Sequence, residues 1–182
     1  MDKNTLTNLF HYHYWANRQL WRSVVALSDA QFAQASADGV PSIQAQLACM
    51  VSNENLWVNY LWHGEVEFLE VEQLPTRASI RAEWDALEEE ILDYLDELTP
   101  AELSRRVEPP FLPSRTPVRV WEVLLHVVHH AIEQRAQVSV RLQRIGAAVL
   151  PQDFLIFAAE QARRGFPYHA FALERVTQES HR

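Results

Sequence analysis

The longest helical pattern in the sequence lies in TPVRVWEVLLHVVHHAIEQRAQVSVRLQRIG, residues 116–146. Its apolar residues recur at alternating spacings of three and four, which predicts one long amphipathic helix from about Val118 to Ile145, ended by Gly146. His126 and His130 are four residues apart in this helix, so both imidazoles project from the same face. Polar side chains of this kind on one face of an otherwise apolar-seamed helix have two interpretations. They form a solvated or internally hydrogen-bonded face, or they form a metal or substrate site inside a helical bundle.

Three further segments repeat this helical pattern, and glycine is scarce in the chain, at four residues. Their apolar seams predict helices from about Thr5 to Leu27, from Ser42 to His63 and from Ser79 to Leu98. Gly64 is placed to end the second of these helices. Four long helices with matching apolar seams predict an all-α fold, an up-down four-helix bundle.

Short elements complete the predicted bundle. The segment VEPPFLPSRTP, residues 107–117, contains too much proline for a helix and connects the third long helix to the fourth. A short extra C-terminal helix is predicted from about Phe154 to Arg164, with Asp153 as its N-cap. We therefore expect one domain over residues 1–165, followed by a loosely attached tail over residues 166–182.

Composition and charge restrict the classes of function. With 182 residues, of which 48% are hydrophobic, the chain is long enough to fold as one domain around its own core. The formal net charge of -8, without a basic patch, disfavours nucleic acid and anionic membrane surfaces as partners. No apolar run is long enough to cross a bilayer, and the single cysteine, Cys49, excludes an intrachain disulfide. We expect a cytoplasmic protein with a small-molecule ligand.

Four polar residues interrupt the apolar seams near the middles of three helices: His13 and Asn17 in the first, Glu54 in the second and Gln134 in the fourth. In a packed bundle these side chains can meet in one internal polar layer, where a carboxylate must be paired, hydrogen-bonded or protonated. One interpretation is a buried network that fixes helix register, with Glu54 held by His13, Asn17 or an arginine such as Arg135. The other is a ligand pocket with Glu54, His13 and Asn17 as candidate catalytic residues, Glu54 being a general base or a supporting partner.

Three segments carry a family resemblance. They are YHYWANRQL (12–20), SIQAQLACMVSNENLWVNYLWHG (42–64) and LLHVVHHAIEQRAQVSVRLQRIG (124–146). The first contains an Ala-Asn pair ending at Asn17, the second a glutamate three residues before a tryptophan at Glu54 and Trp57, and the third an Arg-Ala-Gln sequence at 135–137. In this order and spacing they resemble the DinB-like family, also called DinB/YfiT-like, of helical-bundle proteins.

The resemblance implies a bundle, often dimeric, in which three histidines hold a divalent ion such as zinc or nickel. Matched residue by residue, these ligands fall on Cys49 in the second helix and on His130 and Gln134 in the fourth. Cysteine binds zinc as a thiolate, whereas an amide oxygen is a poor zinc ligand, so the predicted metal site is altered. His126, one turn before His130, could substitute for a missing imidazole, and Glu133 is another candidate donor. The prediction requires Cys49, His130 and Gln134 to face a shared interior pocket.

Two functions of different classes follow from the resemblance. Relatives with intact sites include enzymes that transfer low-molecular-weight thiols, which implies a metal-dependent thiol S-transferase or hydrolase-like enzyme acting on a small molecule. A bound cation would stabilise the thiolate at neutral pH. The alternative is a metal-free, noncatalytic bundle that binds a small molecule or serves as a dimeric interaction module. A third interpretation makes Cys49 a redox-active thiol, although a lone helical cysteine is usually a small apolar filler. A homodimer is expected, with Trp15, Trp21 and Trp62 as contact residues or as additional core.

Overall fold

A computed structural model describes residues 1–35, 39–112 and 116–164 of the chain. The helices are α1 (Lys3–Val25), α2 (Asp29–Ala33), α3 (Ile43–Val58), α4 (Arg77–Glu97), α5 (Pro100–Ser104), α6 (Val120–Arg144) and α7 (Phe154–Arg164). A π-helical turn, Asn59–His63, extends α3, and a 3-10 turn covers Val71–Gln73. Two short strands, β1 (Arg106–Val107) and β2 (Val118–Arg119), pair antiparallel, with Arg106 opposite Arg119 and Val107 opposite Val118.

The four long helices α1, α3, α4 and α6 form the bundle. α1 packs against α4 and α6, and α3 packs against the same two helices. α1 and α3 therefore lie diagonally across the bundle, where their longer side chains meet at its centre. The all-α four-helix bundle predicted from the sequence is confirmed, including the short C-terminal helix α7 with its predicted bounds.

Contacts along α1 and α4 show that these two helices are antiparallel. Near the start of α1, Lys3 Nζ donates to the Asp96 carbonyl oxygen at 2.6 Å, close to the end of α4. Further along, Arg18 Nη1 donates to both Glu88 carboxylate oxygens, at 2.7 and 2.9 Å. An early residue of α1 pairs with a late residue of α4, and a later residue of α1 pairs with an earlier residue of α4. The two helices therefore run in opposite directions.

The pair α3 and α4 instead runs in the same direction. Gln44 Nε2, at the start of α3, donates to the Pro75 carbonyl oxygen at 2.8 Å, and His63 Nε2, beyond its end, lies 2.6 Å from Glu90 Oε1. α6 runs in the direction of α1, because Arg135 contacts His13 within α1 and Arg141 donates to the Gln34 carbonyl oxygen beyond its end. The chain therefore reverses between α1 and α3 and between α4 and α6, as in an up-down bundle, but not between α3 and α4. The connection over residues 64–76 makes this parallel arrangement possible, because at about 3.3 Å per extended residue it reaches about 40 Å, more than the about 30 Å length of α4.

Helix starts follow local capping chemistry. Side-chain oxygens at four N-cap positions accept a hydrogen bond from a backbone N–H in the first turn, which satisfies a donor that the helix leaves unpaired. These residues are Asp2 before α1, Ser42 before α3, Thr76 before α4 and Thr99 before α5. Asp153 Oδ1 accepts from the Leu155 N–H at 2.7 Å, so the predicted cap of α7 is also present.

The predicted apolar seams form the core. Every seam residue of α1, α3 and α4 is buried, together with the polar members His13, Asn17 and Glu54. In α6 the seam is buried except at Gln134 and Ile145, which are half-buried. A second, smaller apolar cluster joins α1 to α7 and contains Tyr12, Trp15, Ala16 and Phe157.

Two further features of the fold differ from the sequence-based expectation. The short helix α2 lies in a segment for which no helix is predicted, and Ser28 and Gln31 form a reciprocal capping box at its start. The segment 107–117 is non-helical where described, as predicted, but residues 106–107 pair with 118–119, so α6 begins at Val120. The predicted tail, residues 166–182, lies outside the described residues. Among the helices described, none has the length and apolar character needed to span a membrane.

Candidate functional site

A buried carboxylate lies at the centre of the bundle. Glu54, on α3, is 4% exposed, and donors from α1 and α4 surround it. The Tyr14 hydroxyl donates to Oε1 at 2.6 Å, His13 Nε2 lies 3.2 Å from Oε2, and Trp84 Nε1 donates to Oε2 at 3.3 Å. Because each donor comes from a neighbouring helix, the carboxylate joins three of the four long helices.

A buried arginine on α6 extends this network. Arg135 is 2% exposed, and its Nη1 lies 3.1 Å from His13 Nδ1 and 2.9 Å from Asn17 Oδ1. Since a guanidinium can only donate, Nδ1 of His13 accepts, and the ring proton is assigned to Nε2, which donates to Glu54. The network thus runs from an anion on α3, through an imidazole on α1, to a cation on α6.

The surroundings of Glu54 favour its ionised form. Burial alone would raise the pKa of this carboxyl, but the neighbouring His13 and the hydrogen bonds from Tyr14 and Trp84 outweigh burial, and the pKa lies below its ordinary value of 4.5. Burial, and then the charge of Glu54, raise the pKa of Tyr14 well above its ordinary value of 10. At neutral pH the pair is therefore a carboxylate that accepts from a phenol, a charge-assisted hydrogen bond.

A small cavity lies between α3 and α6, beside this network. Its volume is about 10 Å³, which is close to the space that a single water molecule needs. Its polar lining consists of Asn53, Glu54, His130 and Gln134, and its apolar lining of Met50, Val127 and Ala131. The sequence analysis placed His13 and Asn17 in a ligand pocket with Glu54, but α1 contributes none of the lining residues, because His13 and Asn17 lie behind Glu54.

The residues predicted to bind metal are only partly brought together. His130 and Gln134 line the cavity with their Nε2 atoms 3.4 Å apart, as the i, i+4 spacing predicts. The His126 ring stacks on that of His130, with centroids 5.6 Å apart, and contacts Trp57 edge-on at 5.5 Å. Burial, and then the neighbouring His130, lower the pKa of His126. Cys49 is exposed and is not part of the cavity lining, so the expectation that it is a buried, inward-facing thiol is wrong.

The family model for the DinB family matches residues 1–165 of the chain. The chain belongs to the DinB family. This match covers the whole bundle described above, including all the residues of the buried network and of the cavity lining. The family resemblance inferred from the three sequence segments is thereby confirmed.

Two solved structures share this DinB-family fold. YfiT from Bacillus subtilis, described as "a probable metal-dependent hydrolase with an unusual four-helix bundle topology", is 14% identical, with a TM-score of 0.65 over 81% of this chain and 91% of YfiT. The DinB-like protein YjoA from Bacillus subtilis is 17% identical, with a TM-score of 0.60 over 81% of this chain and 96% of YjoA. A comparison with curated proteins found no match. At these identities the likeness establishes the fold.

The donors of this DinB-family chain do not fit the three-histidine ion site that the resemblance implies. Zinc and nickel are held tightly by several imidazole, thiolate or carboxylate ligands. Here the cavity offers one imidazole, from His130, and the amide of Gln134, while Cys49 lies outside its lining. In the part of the chain that the structure describes, no three His, Cys, Asp or Glu side chains are grouped closely enough to hold a metal ion. The roles predicted for Cys49, His130 and Gln134 stay predictions.

Sequence reasoning missed three residues of the site. Tyr14 and Trp84 donate to Glu54, and Asn53 lines the cavity. Trp84 belongs to an apolar seam and Tyr14 follows a seam residue, so both are indistinguishable from core residues by periodicity. The one available signal was chemical, since a buried tyrosine hydroxyl or indole N–H needs an acceptor and Glu54 was the buried acceptor. Asn53 gave no signal, because a polar residue beside a seam is usual on a helix.

Proposed function

We propose that this DinB-family chain binds a small molecule at the cavity between α3 and α6, without a tightly held divalent ion. One observation carries the proposal. At the two α6 positions that supply imidazoles in the resemblance, this chain has His130 and Gln134, and the Gln134 amide contacts the His130 Nε2 atom at 3.4 Å. The ring nitrogen that an ion would need is therefore engaged by a neutral side chain.

The surroundings of the cavity support ligand binding. The buried network of Glu54, His13 and Arg135 holds one wall in a fixed arrangement, so the polar groups need little reorganisation when a ligand binds. One helical turn from the cavity residues, the buried Trp57 ring contacts His126 at 5.5 Å and Phe111 at 4.9 Å, and the exposed His126 and half-buried Phe111 present an aromatic surface to the rest of a ligand. Polar anchors in a cavity beside aromatic side chains are typical of small-molecule sites.

The second candidate is a metal-assisted enzyme, either hydrolase-like or a thiol S-transferase that uses a low-molecular-weight thiol. The stacked i, i+4 pair of His126 and His130 favours it, as does the description of YfiT as a probable metal-dependent hydrolase. A divalent ion held by these imidazoles would supply a Lewis acid. The amide at Gln134 and the exposed position of Cys49 count against this candidate.

Elemental analysis of protein purified without chelator or nickel-affinity resin separates the two candidates. We expect less than about 0.1 equivalent of zinc or nickel per chain, because too few strong donors converge. The matched variant Gln134→His, which gives the cavity a second imidazole beside His130 and Glu54, should gain measurable zinc binding. About one equivalent in the parent protein, lost in His130→Ala, would establish the metal-assisted candidate instead.

Ligand binding itself is tested by a fragment screen that follows the thermal unfolding midpoint. Fragments that stabilise the parent but not Gln134→Leu support a ligand site at the cavity, because binding to the native state raises the midpoint. Equal stabilisation of both proteins would place the binding elsewhere on the molecule and contradict the proposal.

A further inference from the structure

The polar side chains of the cavity are an unusual set, because they can all act as acceptors and none is cationic. Glu54 contributes a carboxylate, Asn53 and Gln134 contribute amide oxygens, and His130 contributes an imidazole. Arg135, the nearest buried cation in the network, contacts His13 and Asn17 and does not line the cavity. A ligand group that donates hydrogen bonds can therefore pair with every one of these side chains, whereas a group that only accepts cannot pair with the Glu54 carboxylate.

Glu54 has acceptor capacity left on this side. An ionised carboxylate has about four lone-pair sites. Tyr14 donates to Oε1, Trp84 donates to Oε2, and His13 Nε2 lies 3.3 Å from Oε1 and 3.2 Å from Oε2, so three hydrogens, one of them shared by both oxygens, are directed at these sites. The remaining site belongs to a carboxylate that lines the cavity, so Glu54 can accept one further hydrogen bond there.

Two further acceptors complete the arrangement. When the Gln134 amide donates to the His130 ring nitrogen, its carbonyl oxygen remains available, and the Asn53 amide can present its own oxygen. Glu54, Gln134 and Asn53 thus offer three acceptors around a space of about 10 Å³, room for one non-hydrogen atom of water size. A primary ammonium nitrogen has this size and carries three N–H donors.

We propose that the ligand of this site is a primary amine, whose ammonium group occupies the cavity between Glu54, Asn53 and Gln134 while its organic part extends towards the aromatic surface beside His126. The inference rests on the proposed function and adds the class of ligand to it. A carboxylate ligand would be repelled by Glu54, and an alcohol would offer one donor to three acceptors. A quaternary ammonium group has no N–H donor and exceeds the cavity.

Four probes with the same four-carbon chain test the proposal: n-butylammonium, n-butanol, butyrate and butyltrimethylammonium. Dissociation constants are measured by titration calorimetry or by NMR shifts on the full chain near neutral pH. We expect n-butylammonium to bind at least about tenfold more tightly than each of the others, the usual effect of one charge-assisted hydrogen bond. The variant Glu54→Gln should weaken n-butylammonium by about tenfold or more.

Control variants keep the test independent of folding. Asp93→Asn also removes one carboxylate, but from an exposed position on α4, and should leave the affinity for n-butylammonium unchanged. If Glu54→Gln does not fold, Gln134→Leu replaces it, because Gln134 is half-buried and contributes one acceptor. Loss of one hydrogen bond from the ammonium to an uncharged amide oxygen should then weaken n-butylammonium about threefold to tenfold. An unchanged affinity in Glu54→Gln, or in Gln134→Leu where it replaces that variant, would overturn the proposal.

The outcomes separate this inference from the proposed function. Tighter or equal binding of n-butanol or butyrate would overturn the amine assignment and leave the small-molecule site intact. If none of the four probes binds but other fragments bind at the cavity, the amine assignment is likewise overturned and the small-molecule site remains. If neither the probes nor any fragment binds, the amine assignment and the proposed function are both wrong.

Discussion

Glu54 shows how one residue can hold a bundle together and carry a charge at its centre. Its carboxylate accepts hydrogen bonds from Tyr14 and His13 on α1 and from Trp84 on α4. His13 in turn links the carboxylate to Arg135 on α6. A buried carboxylate with this many donors is stabilised as an anion, whereas one that has lost a partner is strongly destabilising. Changes to this one carboxylate should therefore alter both the stability of the protein and the dependence of that stability on pH.

Replacing Glu54 with glutamine should lower the free energy of unfolding by about 2–3 kcal/mol at pH 7, because charge-assisted hydrogen bonds are lost. Urea unfolding followed by circular dichroism measures this change. The variant Asp93→Asn, at an exposed site, should change stability by less than about 0.5 kcal/mol. A Glu54→Gln protein as stable as the parent would show that the carboxylate is not held as the contacts indicate.

The same carboxylate gives stability a defined dependence on pH. Its folded-state pKa lies below the ordinary value of 4.5, so its contribution is fully present above about pH 4.5 and is lost as the pH falls through the folded-state value. The stability difference between the parent and Glu54→Gln should therefore be constant from pH 7 to about 5 and shrink below pH 4.5. Urea unfolding of both proteins at a series of pH values checks this. A difference that grows on acidification would contradict the lowered pKa.

At the scale of elements, periodicity explains what could be predicted. Each seam residue predicted for α1, α3 and α4 is buried, because the 3.6-residue repeat is a local property of the sequence. His13, Asn17 and Glu54 were visible for the same reason, as polar members of apolar seams. The parallel direction of α3 and α4 was not visible, since it depends on the path of residues 64–76, which show no helical repeat. The outward position of Cys49 was missed because the family match gives a sequence position and no orientation.

Gly64 ends the π-helical turn after α3 with a backbone φ of +75°, in the left-handed region. No atom lies within 4 Å of an added Cβ there, so a substitution meets backbone strain and no clash. Gly64→Ala should cost about 1 kcal/mol of unfolding free energy, measured by urea denaturation. Gly64→Asn should cost less, because asparagine tolerates this conformation. An alanine variant as stable as the asparagine variant would contradict the left-handed assignment.

At the scale of the whole molecule, α7 joins the bundle through one aromatic cluster. Phe157 is 1% exposed and packs 5.8 Å from the rings of both Tyr12 and Trp15. The Trp15 indole N–H also donates to Glu160 Oε2 at 3.0 Å. Trp15 is therefore a core residue between α1 and α7 and not an exposed dimer contact, whereas Trp21 and Trp62 are half-buried.

Truncating Phe157 to alanine should lower the free energy of unfolding by about 3–4 kcal/mol, because a buried aromatic side chain is lost and a cavity remains. Leu155→Ala on the same helix is the matched control. Leu155 is 75% exposed, so its truncation should cost less than about 0.5 kcal/mol. Thermal and urea unfolding of both variants provide the comparison. Equal effects would mean that α7 does not dock through Phe157.

The expected homodimer stays a prediction. Light scattering after size-exclusion chromatography should give about twice the chain mass of 21.1 kDa. Dilution through the micromolar range should leave that mass unchanged if the interface is of the size found in stable dimers. A constant mass near 21.1 kDa would show a monomer.

The outward-facing thiol of Cys49 makes this molecule convenient to observe. It is the single cysteine in the sequence, and it precedes Asn53 by four residues on α3, so the two side chains lie on the same helical face about 5–6 Å apart. A maleimide dye attached there would label one known position without any engineering of the chain. A small molecule that binds between α3 and α6 as proposed should change the emission of this dye, in real time and at nanomolar protein.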